Sequence, residues 1–302
     1  MAHFTSALRG ALRRRLRYPL EGAAAWLAFA LCRRLPLDLA SRMGGWLGRA
    51  VGPRLARSRR AEARLRRAMP ELSEAEAERV IRAMWDNLGR VVAEYPHLEE
   101  FAERGADDRV ELVGAEHVER AAKDGVGAIF FSAHLGNWEI LSPRAARHGV
   151  PLTQVYRAAN NPFIERLTAR ARRGSPGLYL PKGPGTARGL FEALQGGAHL
   201  AMLVDQKLNE GIPVPFFGRD AMTAPLIAQL GLRFACPVLP ARVERLEGAR
   251  FRITVLEPLE LSASGDREAD VRACMGRINA LIESWVRARP EQWLWLHRRW
   301  PE

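Results

Sequence analysis

Cysteine is scarce in this 302-residue chain: Cys32, Cys236 and Cys274 are far apart and form no C-x-x-C pair. A disulfide framework and a zinc knuckle are therefore excluded, and a reducing compartment is the simpler expectation. Also missing is an apolar run long enough to cross a bilayer as a helix, which takes roughly 20 residues. The clearest candidate, Gly22 to Cys32 (GAAAWLAFALC), has eleven residues, set between Glu21 and the Arg33-Arg34 pair. No internal repeat, long linker or low-complexity tract breaks the sequence. Neither H-E-x-x-H nor a G-x-S-x-G elbow is present, so zinc-protease and serine acyl-enzyme chemistry have no seat.

Basic charge, by contrast, is abundant. Forty-six Lys and Arg against 34 Asp and Glu give a net charge of +12. Such an excess favours a partner of opposite sign: a nucleic acid, an anionic membrane or an acidic protein. Most of these residues are Arg, which suits bidentate phosphate recognition and equally fits a GC-rich genome. Arg13, Arg14, Arg15 and Arg17 precede the short apolar run. Ala28-Phe29-Ala30 mimics a signal-peptide cleavage site, but only Gly22 to Leu27 would precede it, and Leu31 spoils a lipoprotein site at Cys32. The segment therefore reads as a helix lying in a membrane interface, with Trp26 and Phe29 immersed and each arginine on anionic headgroups contributing roughly 1 kcal/mol. The alternative is an amphipathic helix packed on the rest of the protein.

From Leu37 to Glu103 the pattern is helical, interrupted at Pro53 and Pro70, and Ser73 with Glu76 makes a capping box. After Gly105 the period changes. Apolar β-like runs at 110–113, 126–132, 152–156, 199–204 and 238–243 alternate with helical stretches, 251–256 alternates like an edge strand, and 268–289 reads as a terminal helix. The expected fold is α/β: a mixed, largely parallel sheet flanked by helices, with a helical, membrane-associating N-terminal annex. The expected division is an annex over 1–104 and an α/β domain over 105–302.

Chemistry concentrates in Ser132-Ala-His134-Leu-Gly-Asn-Trp-Glu139. A buried strand runs into a histidine at its carboxyl end, where α/β sheets bind ligands. Five positions on a regular helix would put His134 and Glu139 on different faces. The Gly136-Asn137 break lets the chain fold back so that the carboxylate reaches the imidazole. Glu139 would then fix the tautomer while His134 takes a proton from an attacking hydroxyl. On spacing alone, a hydrogen-bonded structural histidine fits as well.

The segment closely resembles the H-x4-[DE] block of the glycerolipid acyltransferase superfamily, in the wording of the lipid A secondary acyltransferases. Further blocks resemble that family in order along nearly the whole chain. They are Met84-Trp-Asp-Asn-Leu-Gly-Arg90 with Glu94, Tyr156-Arg157 with Asn160-Asn161-Pro162, Asp205-Gln206 followed by Val214-Pro-Phe-Phe-Gly218 and Met222-Thr223-Ala224, and Pro290-Glu-Gln-Trp-Leu-Trp-Leu-His-Arg-Arg-Trp300.

The resemblance implies an acyltransferase with His134 and Glu139 as catalytic dyad and no cofactor or metal. It implies that Arg157 holds a substrate phosphate, with Asn160 beside it. Asp205 either orients an arginine or donor group or caps the following loop, and Phe217 lines an acyl channel or packs in the core. It further implies an acyl carrier protein as donor (or acyl-CoA), an anionic lipid A precursor as acceptor, no nucleic-acid partner, and a place on the cytoplasmic face of the inner membrane. Lysophospholipid or another polar lipid is the alternative acceptor. The stretch Lys207 to Pro213 departs from the family's third block, lacking its acidic and aromatic character. His297 sits in the terminal block, within reach of headgroup or acceptor, while His3, His97, His117, His148 and His199 read as structural, and Gly183 to Gly189 as a turn opening a helix. A basic membrane or nucleic-acid binding protein would make no demand on His134. A hydrolase would use it to activate water.

Overall fold

The computed structural model describes residues 13–103, 109–173 and 177–301. The expected junction at 104/105, His3 and the side chains of Arg13 and Arg14 lie outside the described residues. Ten α-helices and nine strands are formed among those described. They run α1 (Tyr18–Arg34), α2 (Leu37–Val51), α3 (Ala56–Ala68), α4 (Glu74–Glu94), β1 (Val110–Val113), α5 (Ala115–Lys123), β2 (Ile129–Ser132), α6 (Leu141–Arg147), β3 (Leu152–Tyr156), α7 (Pro162–Arg172), β4 (Gly177–Pro181), α8 (Thr186–Gln195), β5 (His199–Leu203), β6 (Lys207–Phe216), β7 (Arg219–Thr223), α9 (Leu226–Phe234), β8 (Val238–Arg245), β9 (Phe251–Val255) and α10 (Arg267–Ala288).

Seven strands form one sheet in the order β1-β9-β8-β2-β5-β3-β4, parallel throughout except where β8 meets β9. This is the mixed, largely parallel α/β sheet flanked by helices. Strand β2 is central, and its four residues are all buried, as strands covered on both faces must be. Its alternation divides the core. Ile129 and Phe131 face α4, α9 and α10; Ala128 and Phe130 face α5 and α6. The expectation for 251–256 is corrected: β9 lies between β1 and β8, and the edges are β1 and β4. Its alternation arises because one face packs on the core and the other is half exposed. The hairpin β6-β7 stands apart, its two-residue turn at Phe217-Gly218 holding both residues at positive φ (52° and 67°).

The capping box at Ser73 and Glu76 starts α4, as expected. This helix crosses α2 on glycines: a Cβ on Gly89 would strike the Gly44 carbonyl, and one on Gly48 the Trp85 carbonyl, so the backbones meet directly. The close approach lets α4 carry Asn87 and Glu94 into the interior. Glu94 is fully buried and takes two bonds from Arg245 at the end of β8 (2.5 and 2.9 Å), one from Ser41 (2.6 Å) and one from Asn137 (2.8 Å). Arg245 Nε also donates to Asn87 Oδ1, while Asn87 Nδ2 donates to the Gly136 carbonyl at 2.9 Å. Gln292 closes the network by bonding both the N–H and the carbonyl of Arg245 at 2.8 Å. A buried charge survives only when paired and fully hydrogen-bonded, and this pair is. Its partners are the loop after β2 and the C-terminal segment, so the network fixes the loop that carries His134.

Helix α1 has 17 residues, and among the described residues no helix is long and apolar enough to cross a membrane. Its outer side exposes Leu20, Trp26, Leu27 and Leu31; α2 exposes Met43, Trp46 and Leu47.

Candidate active site

His134 lies two residues past the end of β2, and Asp205 two residues past the end of β5, the parallel neighbour of that strand. Two adjacent carboxyl ends thus bring the side chains together. His134 Nδ1 lies 2.8 Å from Asp205 Oδ1, and the His134 backbone N–H donates to Asp205 Oδ2 at 2.9 Å. Trp293 Nε1–H, from the C-terminal segment, donates to the same oxygen at 2.8 Å. The Leu294 N–H holds the His134 carbonyl, and Leu135 pairs with Trp293 in an isolated bridge. Burial by itself would raise the Asp205 carboxyl. The facing His134 imidazole and its hydrogen bonds outweigh burial and hold it well below the usual carboxylate range. An ionised Asp205 accepts the Nδ1 proton, which leaves the Nε2 lone pair of His134 directed away from it.

The expected contact of Glu139 with His134 is not formed. The chain does turn after Gly136 (φ 56°), but the short 3-10 turn Trp138–Ile140 delivers Glu139 to α7. There Arg172 Nη2 lies 3.0 Å from Oε1 and 3.2 Å from Oε2. Arg172 is itself enclosed by the rings of Tyr95, Tyr156 and Tyr179. Burial works against its charge, yet Glu139 more than compensates and holds the guanidinium protonated. Asp205 takes the place beside the imidazole that spacing had given to Glu139.

On its other nitrogen, His134 meets Gln206, with Nε2 to Nε2 at 3.1 Å. The same amide nitrogen lies 3.2 Å from His297 Nε2. Burial first, then the neighbouring His134, push His297 down to about 4, so it is neutral near pH 7. The reading of Asp205 and His297 from sequence lacked this geometry, and nothing in the spacing ties residues 134, 205, 206 and 297 together.

His134, Gln206 and His297 border a cavity of about 670 Å³ at the carboxyl ends of the strands. On the α5/α6 face of the sheet it is lined by Phe130 and Ser132 of β2, Ala241 of β8, Ile253 and Val255 of β9 and Leu112 of β1. Glu139, Arg157, Arg172 and Lys207 also border it. Arg157 is exposed and bonds Asn160 Oδ1 at 3.2 Å, which places Asn160 behind the arginine rather than on the cavity wall. The acyl-channel reading of Phe217 is corrected: it packs against Phe216, Trp295 and Trp300 in the aromatic cluster that anchors the C-terminal segment, because the hairpin turn points it inward. Its N–H donates to Glu283. Among the described residues no three His, Cys, Asp or Glu side chains converge as metal ligands.

An ionised buried carboxylate behind an imidazole, whose second nitrogen borders a deep apolar cavity, can deprotonate a hydroxyl beside a bound hydrocarbon chain. Known proteins are similar along most of the chain. The lipid A biosynthesis acyltransferase of Haemophilus influenzae is 26% identical over 270 residues, 87% of this chain and 81% of that one. The lipid A biosynthesis lauroyltransferase of Escherichia coli is 25% identical over 284 residues, covering 91% and 90% of the two chains. The lipid A biosynthesis myristoyltransferase of the same organism is 28% identical over 261 residues, covering 83% and 77%. The family model for bacterial lipid A biosynthesis acyltransferases matches residues 12–302, and the chain belongs to that family.

Proposed function

We propose that this acyltransferase moves a fatty acyl group from the thioester of an acyl carrier protein to a hydroxyl of a lipid A precursor, at the cytoplasmic face of the inner membrane. The observation that carries the reading is the His134–Asp205 pair, whose other ring nitrogen, Nε2, meets Gln206 at the border of the apolar cavity. His134 Nε2 takes the proton of the acceptor hydroxyl, whose oxygen attacks the thioester carbonyl carbon. The carbonyl π pair becomes an oxyanion; its collapse breaks the carbon–sulfur bond, and the leaving thiolate takes the proton back from His134. Asp205 stabilises the imidazolium in between. In this reading Arg157, whose presence at the cavity border supports it, holds a phosphate of the acceptor. Glu139 acts through Arg172, fixing that guanidinium at the cavity wall rather than relaying the proton.

The cavity supports a medium-length chain. From β2 to β1 it passes three strand spacings, about 14 Å. A saturated chain with bonds of about 1.5 Å at tetrahedral angles advances about 1.25 Å per carbon, so about eleven carbons fill that path. The exposed Trp26, Leu27 and Leu31 of α1 and Trp46 and Leu47 of α2, beside Arg33 and Arg34, support a membrane-facing annex. The net charge of +12 suits both an acidic carrier and an anionic lipid surface.

The test incubates membranes holding the protein with radiolabelled acyl carrier protein thioesters and a tetra-acylated lipid A precursor, and follows the label by thin-layer chromatography. Label enters lipid with the intact protein and not with His134→Ala, whose folding is checked by circular dichroism. Thioester consumed without acylated lipid would make the protein a hydrolase instead.

A further inference from the structure

An acyl transfer needs donors for its oxyanion, and the backbone around His134 has few to give. The N–H of His134 is bound to Asp205, that of Leu135 to the Ala133 carbonyl at 2.7 Å and that of Gly136 to the Gln292 carbonyl at 3.3 Å. Donors at an oxyanion site are ordinarily backbone N–H groups or amide, hydroxyl and basic side chains. Those three amides are committed, and the side chains around His134 Nε2 are the next donors at hand.

Gln206 is positioned for it. With Nδ1–H of His134 given to Asp205, the Nε2 of His134 is an acceptor. The group 3.1 Å away must therefore be the amide NH2 of Gln206 and not its oxygen. The second N–H of the same amide points to His297 Nε2, 3.2 Å away, on a ring whose centroid is 4.7 Å from that of His134. Neutral His297 in its Nδ1–H tautomer presents Nε2 as an acceptor, which tethers the amide. An acceptor hydroxyl must come within about 2.6–3.2 Å of His134 Nε2 to lose its proton, and that place is held by the Gln206 nitrogen.

We infer that Gln206 is a catalytic residue that holds the acceptor-hydroxyl position in the resting site and, once displaced by the hydroxyl, donates its N–H to the oxyanion, with His297 as its positioning residue. The inference rests on the proposed acyl transfer. In the attack, the proton leaves the acceptor oxygen for His134 Nε2, the new carbon–oxygen bond forms, and the carbonyl pair moves to the oxygen that Gln206 faces. Because the tether keeps the amide close, the donor is already beside the reacting carbon when charge develops there. A resting site with its base covered also leaves no lone pair open to water, which would limit hydrolysis of a bound thioester.

The test compares the intact protein with Gln206→Ala, His297→Gln, His297→Leu and Lys207→Met, the last removing a cationic donor on the cavity wall next to Gln206 in sequence. With Gln206→Ala, kcat falls about 10²-fold or more while the acceptor KM is unchanged or lower. A phosphonate that mimics the tetrahedral intermediate loses affinity by a similar factor, while a thioether analogue without the carbonyl binds as before. Both affinities are read by calorimetry, so the inference is tested even where no acceptor is turned over and the proposed reaction itself fails. His297→Gln, which keeps an acceptor atom, retains more activity than His297→Leu. Equal weakening of both analogues, unchanged kcat in Gln206→Ala, or loss of phosphonate binding in Lys207→Met instead, would overturn it.

Discussion

Replacing Arg245 by methionine isolates the work done by the buried network. Arg245 gives Glu94 two hydrogen bonds and also binds Asn87 Oδ1 and the Gly248 carbonyl, and neither side chain of the pair is appreciably exposed. Methionine fills similar space but leaves Glu94 with only Ser41 and Asn137 as donors. Breaking a buried pair from one side costs about 3–5 kcal/mol, because the remaining charge stays in a low-dielectric site. That is a large fraction of an ordinary stability of about 5–15 kcal/mol. Neutralising both partners, as Glu94→Gln with Arg245→Met, removes the uncompensated charge, so the double variant is less destabilised than the two single losses combined by roughly 1–3 kcal/mol. Urea unfolding followed by tryptophan fluorescence reads the midpoints, with an unchanged slope confirming that only stability has moved. A loss below about 1 kcal/mol for Arg245→Met, or strict additivity in the cycle, would refute the argument, since either means that Glu94 is solvated or has other partners.

Three further outcomes follow from the site. Asp205→Asn presents an amide N–H to one of the donors His134 N–H, His134 Nδ1–H and Trp293 Nε1–H, and transfer falls about 10³–10⁴-fold while the protein folds, as measured by initial rates beside circular dichroism. Ala145→Phe on α6 intrudes into the cavity and moves the preferred thioester to a shorter chain, read by competition among acyl lengths; an unchanged preference would exclude that wall from the acyl path. His297 is held at about 4 in the folded protein against an ordinary 6.5. The unfolded chain therefore binds the proton first, and stability falls as pH drops from about 6.5 to about 4, by up to roughly 3 kcal/mol. Denaturation across that range should show a shallower slope in His297→Gln than in the intact protein.

The fold was legible where a single physical signal dominated. The capping box marks the start of α4, and the buried run ending at Ser132 puts the histidine at a strand's carboxyl end. Strand β4 was missed because its burial is slight and a proline ends it, and the hairpin β6-β7 because Lys207 to Pro213 has no alternation to see. Strand order was invisible as well, so β9 read as an edge. In the site, His134 and Arg157 were found at strand ends, but the partner of His134 was misplaced. Local spacing favoured Glu139, five residues on, whereas the true neighbour is 71 residues away across a parallel strand pair, a relation that depends on sheet order and leaves no periodic trace. Glu94 drew notice only as part of a resemblance, although its burial is what the loop geometry rests on.

The tryptophan-rich segment that closes over Asp205 and the His134 carbonyl is made after every other part of the site. While the chain emerges from a ribosome, β2 and β5 can pair and bring imidazole and carboxylate side by side, yet Trp293 and Leu294 are not there to hold them, nor His297 to hold Gln206. A chain lacking residues 293–297 thus carries the base but not the frame that aims it, and the reactive geometry arises only once that segment has docked.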